Sequence, residues 1–409
     1  MKIGVYGGTF NPPHLGHLTA ARAVFELLGL DLLLLIPAGL PPHKELPAGS
    51  PTPEQRLEMT RLAGEQLGLG DKVRTLDIEL ERGGRSFTSD TLAQLKAQYP
   101  DSELWLLMGT DMFLTLQAWH EPEKILSLAG IAAFGRTEED TEELFSAQRE
   151  YLYKTYPQAR IFTLTIPGVI DVSSTELREK LAKGQGGNLL APAVYGYILR
   201  EGLYNTDADL KRLPISRLRP VALSYLKHRR IPHVLGTEQE AIRLAERYGA
   251  GVEKARVAAL LHDCTKKLNM EDQLALCRQY GIQLDELEQK ALKLLHAKTG
   301  AALARDVFGV DDEIYNAILW HTTGKPDMTV LEKVIYLADF IEPTRDFPGV
   351  DALRRTVWED LDRGLLMGLE MTVEEMQEMG SPIHVNTLAA RDYLKGKTNE
   401  GKAGSGQQL

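Results

Sequence analysis

Short apolar runs alternate with longer segments of helical period through the first half of the chain. Ile3–Tyr6, Leu32–Pro37, Val73–Leu76 and Leu104–Met108 are apolar stretches of strand length. Between and after them His14–Leu28, Arg56–Gln66, Ser89–Gln98 and Asp111–Gln117 carry the three-to-four-residue spacing of helices, the third capped by Ser89 or Thr88. Strands alternating with helices predict a doubly wound parallel sheet, with ligands expected beyond the strands' carboxyl ends.

The pattern changes after Tyr204. Asn205–Pro220 is polar, contains Pro214 and Pro220, and reads as a linker, its centre at 207–214. Beyond it the period is helical in Ala222–His228, Thr237–Tyr248, Lys254–Leu261, Gln273–Tyr280, Leu287–Val307, Asp312–Trp320 and Leu331–Ile341. The expectation is an α/β domain over 1–206, an all-α domain over 215–394 and a flexible Gly/Lys/Ser/Gln-rich tail over 395–409.

Composition narrows the class. The 409 residues carry a formal net charge of −10, about −7 of it before Thr206, which argues against bulk nucleic-acid binding. Two cysteines, Cys264 and Cys277, are too few for a disulfide framework or a cysteine zinc cage. The start resembles no signal peptide, and Leu32–Ile36, ended by Pro37, is too short to span a bilayer. A cytoplasmic setting without membrane or nucleic-acid partners is therefore expected; a homo-oligomer is compatible with these features.

The densest chemical signal is Gly7-Gly8-Thr9-Phe10-Asn11-Pro12-Pro13-His14-Leu15-Gly16-His17, between a strand and a helix. Glycines allow close backbone approach, and a helix start offers N–H groups to an anion. His14 and His17, three apart, share a helical face. This stretch resembles the H-x-G-H signature of the nucleotidylyltransferases. Pro37–Lys44, Ser86–Leu92, Met108–Asp111 with Trp119, Val172–Arg178, Val194–Ile198 and Gly202–Tyr204 narrow the resemblance to bacterial nicotinate-nucleotide adenylyltransferases. Asn11 stands where many members have Asp, and Val172 where Ile is common.

That resemblance implies transfer of AMP from ATP to nicotinate mononucleotide, with Mg²⁺ accompanying ATP. His14 and His17 would hold the triphosphate, while Lys44 and Arg178 act as cationic clamps. Gly7, Gly8, Thr9, Phe10, Ser173 and Ser174 would meet ATP, although Ser174 also suits a plain helix cap. Thr88 would meet the pyridine carboxylate, and Trp119 would stack on the ring or simply pack. Asp111 would position a ribose hydroxyl or support the pocket. A pantetheine-phosphate substrate is disfavoured by Ser86–Leu92 and Trp119.

In the second half, His262-Asp263, His296, His321 and Asp339 each end an apolar helical run, and His233 opens a helix. Polar groups so placed are costly to bury without partners, and together they meet the ligand needs of two metals. Their order resembles the HD-domain metallophosphohydrolases. Ala258–Lys266, His321–Gly324 and Ile335–Pro343 bring the likeness closer to the symmetrical diadenosine tetraphosphate hydrolases.

The resemblance implies two divalent metals, iron or similar, held by His233, His262, Asp263, His296, His321 and Asp339, and hydrolysis of diadenosine tetraphosphate to two ADP. Lys266 and Arg345 are phosphate contacts or surface charges. Ala297 departs from the expected glycine, and His228 and His384 have no case as ligands. Hydrolysis of another phosphorylated nucleotide, or nucleotide sensing without cleavage, remains an alternative for this half.

Overall fold

A computed structural model describes residues 1–40, 46–135, 140–166 and 172–404, with side chains to 397. The chain divides into two compact units, Met1–Ala208 and Asp209–Leu409.

The first unit is built on six parallel strands: β1 (Lys2–Gly8), β2 (Leu32–Pro37), β3 (Val73–Thr75), β4 (Glu103–Gly109), β5 (Ala129–Gly135) and β6 (Ile161–Thr165). Their order is β3-β2-β1-β4-β5-β6. Val5 lies opposite Leu34 on one side and Leu106 on the other, so β1 is central. β5 and β6 were not legible as strands. All of β5 is buried, so it shows no polar alternation, and β6 is only five residues long. Helices Glu142–Thr155, Ser174–Ala182 and Pro192–Arg200 were not marked by the period; the first packs on β6 and the last on helix Pro53–Glu65. Strand order reverses between β1 and β4, and the crevice opens there at the strands' carboxyl ends.

The sequence-read helix Ser89–Gln98 begins at Thr88, and neither Thr88 nor Ser89 is its cap; Phe87 holds that position. The stretch expected at Asp111–Gln117 is split into Thr110–Leu114 and a 3-10 turn, Leu116–Ala118.

The second unit is helical throughout its described residues. The polar stretch after Asn205 contains the 3-10 turn Leu210–Arg212 and most of a helix, Ile215–Ser224, with Pro220 inside it. Helix Ile231–Tyr248 starts six residues before the periodic run, because Pro232 suits a first turn. Helices Val350–Glu359, Leu361–Glu378 and Val385–Gly404 were also not read from the period. The last extends through Lys395, expected to be flexible; Lys395 pairs with Glu370 at 2.8 Å and fastens that part to its neighbour. None of the described helices is long and apolar enough to cross a membrane.

Candidate nucleotide pocket and metal centre

In the first unit a cavity of about 330 Å³ lies at the crevice, lined by Tyr6–Phe10, His17, Ala38, Phe87, Thr88, Met108, Gly109, Trp119 and His120 among others. Gly7, Gly8, Thr9, Phe10, His17, Thr88 and Trp119 of the expected site are thus together. A Cβ on Gly7 would meet no protein atom within 4 Å, so packing does not demand that glycine. The space beside it belongs to the cavity.

His14 is buried and lies just before helix Leu15–Leu28. Its backbone N–H donates to His17 Nδ1 at 3.2 Å, and the two rings lie 3.7 Å apart. His17 is therefore held by the helix start while it lines the cavity. Ser173, not Ser174, is the helix cap: its Oγ accepts from Glu176 N–H at 3.1 Å. Ser174 Oγ donates to the Pro12 carbonyl at 3.4 Å. Arg178 donates from Nη1 to the Asn11 carbonyl at 2.9 Å and lines a separate groove with Tyr204. Asp111 is exposed and its neighbour Met112 lines the cavity instead. Lys44 lies outside the described residues.

Two contributors were missed. Arg56 is fully buried and donates to the carbonyls of Thr9, Ala38 and Gly39, at 3.0, 2.6 and 2.9 Å. It locks the β1 and β2 ends around the pocket. Its helical spacing with buried Met59, Thr60 and Ala63 was the available signal. His120, not singled out in the sequence, packs against Phe87 with ring centroids 4.3 Å apart, and both line the cavity.

In the second unit all six expected ligands converge. Asp263 Oδ2 lies 3.6 Å from His262 Nε2 and 3.9 Å from His233 Nε2. Its Oδ1 lies 3.3 Å from His296 Nε2 and 4.0 Å from His321 Nε2. Asp339 Oδ1 stands 3.0 Å from His233 Nε2 and 4.0 Å from His262 Nε2. Asp263 thus faces two groups of imidazoles with its two oxygens.

The rings are oriented from behind. His262, His296 and His321 place Nδ1 at 2.6, 2.8 and 2.6 Å from the carbonyls of Ala259, Lys293 and Ile318. A carbonyl cannot donate, so Nδ1 carries the proton and the neutral ring presents an Nε2 lone pair inward. Burial pushes His296 and His321 down to about 4, favouring that neutral form. Burial opposes the Asp263 charge, but its surroundings, the Lys266 ammonium among them, hold the carboxyl well below the usual carboxylate range.

This donor set fits divalent metals. His296 Nε2 and His321 Nε2, both lone-pair ends, stand 3.1 Å apart, and His262 Nε2 is buried without a hydrogen bond. Such an array is unfavourable unless a cation lies among it. Lys266 Nζ sits 3.0 Å from His296 Nε2, and Arg345 Nη2 sits 2.6 Å from Asp339 Oδ1. Both cationic heads reach the site, Lys266 from an exposed position and Arg345 from a half-buried one. Arg230, not singled out in the sequence, pairs with Asp263 Oδ2. Cys264 is buried beside the cluster, its thiol pushed up to about 12 by burial. His384 lies 3.3 Å from both Asp285 and Glu288, but Lys298 at 2.6 Å already neutralises Glu288, which makes this an ion-pair cluster.

The fold and these two sites define a nucleotidylyltransferase-type domain followed by a metal-binding HD domain. Family models agree: residues 5–180 match the cytidylyltransferase-like family and 230–344 the HD domain. A probable nicotinate-nucleotide adenylyltransferase of Shewanella baltica is 36% identical over half of this chain and 99% of its own length. A symmetrical bis(5'-nucleosyl)-tetraphosphatase of Halalkalibacterium halodurans is 39% identical over 42% of this chain and 91% of its own. A crystal structure described as a predicted HD superfamily hydrolase involved in NAD metabolism, from Clostridium acetobutylicum, is 41% identical over 45% of this chain and 98% of its own, with a TM-score of 0.44. The chain belongs to the nicotinate-nucleotide adenylyltransferase family in its first half and to the symmetrical bis(5'-nucleosyl)-tetraphosphatase family in its second.

Proposed function

We propose that one chain carries two activities: adenylyl transfer from ATP to nicotinate mononucleotide, and symmetrical hydrolysis of diadenosine tetraphosphate to two ADP. The observation that carries the first is the cavity at the strand ends, lined together by Gly7–Phe10, His17, Thr88 and Trp119. Phosphates lie against the glycine backbone and His17, which stabilises the charge that builds on them during transfer. Trp119 and the Phe87–His120 pair form an aromatic wall suited to a flat pyridine ring. Mg²⁺ enters with ATP, held by substrate and water. The protein supplies position and charge neutralisation; Arg178 acts by fixing the Asn11 loop from its own groove.

For the second activity, the carrying observation is the convergence of four imidazoles and two carboxylates. His233, His262, Asp263 and Asp339 would hold one divalent ion; Asp263, His296 and His321 the other. When bound, such ions supply Lewis acidity and lower the pKa of water, and iron suits this nitrogen and oxygen donor set. The carboxylates orient the cluster, while Lys266, Arg230 and Arg345 bring positive charge to where a polyphosphate chain would enter.

The test is elemental analysis and both assays on the intact protein. Pyrophosphate release with ATP and nicotinate mononucleotide, and ADP as the sole product from diadenosine tetraphosphate, are expected. Absence of ADP release would overturn the second assignment without touching the first.

A further inference from the structure

Three of the four imidazoles in the metal centre are anchored by backbone carbonyls, but His233 is anchored by a carboxylate. Its Nδ1 lies 3.0 Å from Glu342 Oε1. Glu342 is fully buried, and its position is fixed in turn by Thr344, whose N–H donates to Oε2 at 2.7 Å and whose hydroxyl donates to Oε1 at 2.5 Å. The helix carrying His233 makes room for it. Gly236 stands one turn beyond His233, and a Cβ there would meet Glu342 Oε2 at 2.4 Å. Glycine is unfavourable inside a helix, so its presence at this contact calls for a reason, and the carboxylate supplies one.

We propose that Glu342 is a positioning residue that makes the two metal positions unequal, so that the ion on the His233–His262–Asp339 side is held more tightly than the ion on the His296–His321 side. The inference rests on the two-metal reading above. A carboxylate behind a metal-ligating imidazole fixes its tautomer and raises its basicity more than a carbonyl does. The His233 side also faces Asp339 as well as Asp263, whereas the other side has Asp263 alone. The His233 side has two cationic neighbours, Arg345 on Asp339 and Arg230 on Asp263 Oδ2, and the other side has Lys266 beside His296, so cations oppose the difference instead of producing it.

The intact chain loaded with Mn²⁺ is titrated with EDTA, and bound manganese is followed by elemental analysis, with circular dichroism reporting the fold. The wild type should release two ions in two steps, separated about tenfold or more in chelator. Glu342→Gln, isosteric but uncharged, should bring the tighter step towards the weaker one while leaving the weaker step in place. Gly236→Ala, which touches no ligand, should do the same by displacing Glu342. A merely structural role would leave the two steps unchanged in folded variants. Two wild-type ions released together, or a two-step release unaltered in Glu342→Gln, overturns the inference alone. A wild-type chain that retains no manganese overturns the two-metal reading as well.

Discussion

The Tyr204 hydroxyl donates to Asn11 Oδ1 at 2.8 Å, joining residues 193 apart in sequence. Both are buried, and Asn11 also donates to Ser50 Oγ at 3.2 Å and lends its carbonyl to Arg178. The loop before His14 is thereby fixed from the far end of the first unit. Tyr204→Phe removes one donor and should cost about 1–2 kcal/mol, read as a lower Tm of the intact chain. KM for ATP should rise more than kcat changes, since the loop positions phosphate contacts. Wild-type values for both would mean that this bond does not hold the loop.

His17 lines the cavity and is held by the His14 N–H. His17→Ala should lower adenylyl-transfer kcat by about 100-fold or more, with ATP affinity changed much less. Steady-state kinetics beside nucleotide-binding titration separates the two. A pure loss of affinity would show that the ring binds ground state and transition state alike.

Trp119 is half-buried and lines the same cavity as Gly7 and Gly8. Trp119→Ala should raise KM for nicotinate mononucleotide about tenfold, equivalent to ~1.4 kcal/mol, and leave KM for ATP near its original value. Equal changes in both constants would indicate that the indole packs the pocket wall instead of contacting the pyridine ring.

Asp263 addresses both halves of the histidine cluster, so Asp263→Ala should remove both metals and abolish hydrolysis. Adenylyl transfer, in the other compact unit, should persist. Asp263→Asn keeps the volume and controls for the loss of a partner to Arg230 and Lys266. Metal content measured on the intact variants decides the matter, and unaltered stoichiometry would remove Asp263 from the ligand set.

Burial lowers His296 and His321 to about 4 in the metal-free chain, below the ordinary imidazole value of 6.5. Between these values the unfolded chain takes up protons that the folded chain refuses, so stability falls as pH drops from about 6.5 towards 4. It levels off below that. Urea unfolding of the metal-free protein should lose on the order of 2 kcal/mol or more across this window. Replacing both histidines by Gln should flatten that part of the profile; an unaltered slope would place its origin elsewhere.

Local features of the sequence carried much of this. The first four strands announced themselves because Leu32–Pro37 and Leu104–Met108 are buried runs between turn residues. Gly7–His17 was legible because a strand, paired glycines and a helix start are neighbours in sequence. The six metal-ligand candidates stood out because polar residues ended apolar runs. Strands β5 and β6 were not visible, since a wholly buried strand and a short one lack alternation. Helices beyond Phe347 went unread, although Val350–Glu359 buries a clear face at Val350, Leu353 and Val357.

The roles of Arg56, Tyr204 and Glu342 depended on tertiary structure, because each acts on residues far away in the chain. Nothing local to Arg56 says that three carbonyls from the β1 and β2 ends will surround it. Nothing local to Gly236 says that a carboxylate from just past a helix end, more than a hundred residues on, will occupy the space its missing Cβ leaves. Sequence by itself determined the domain classes and the inward-facing chemistry, since periodicity and motif spacing are properties of neighbouring residues. The folded chain decided which oxygen faces which imidazole and what stands behind each ring, since those contacts exist only once distant helices pack.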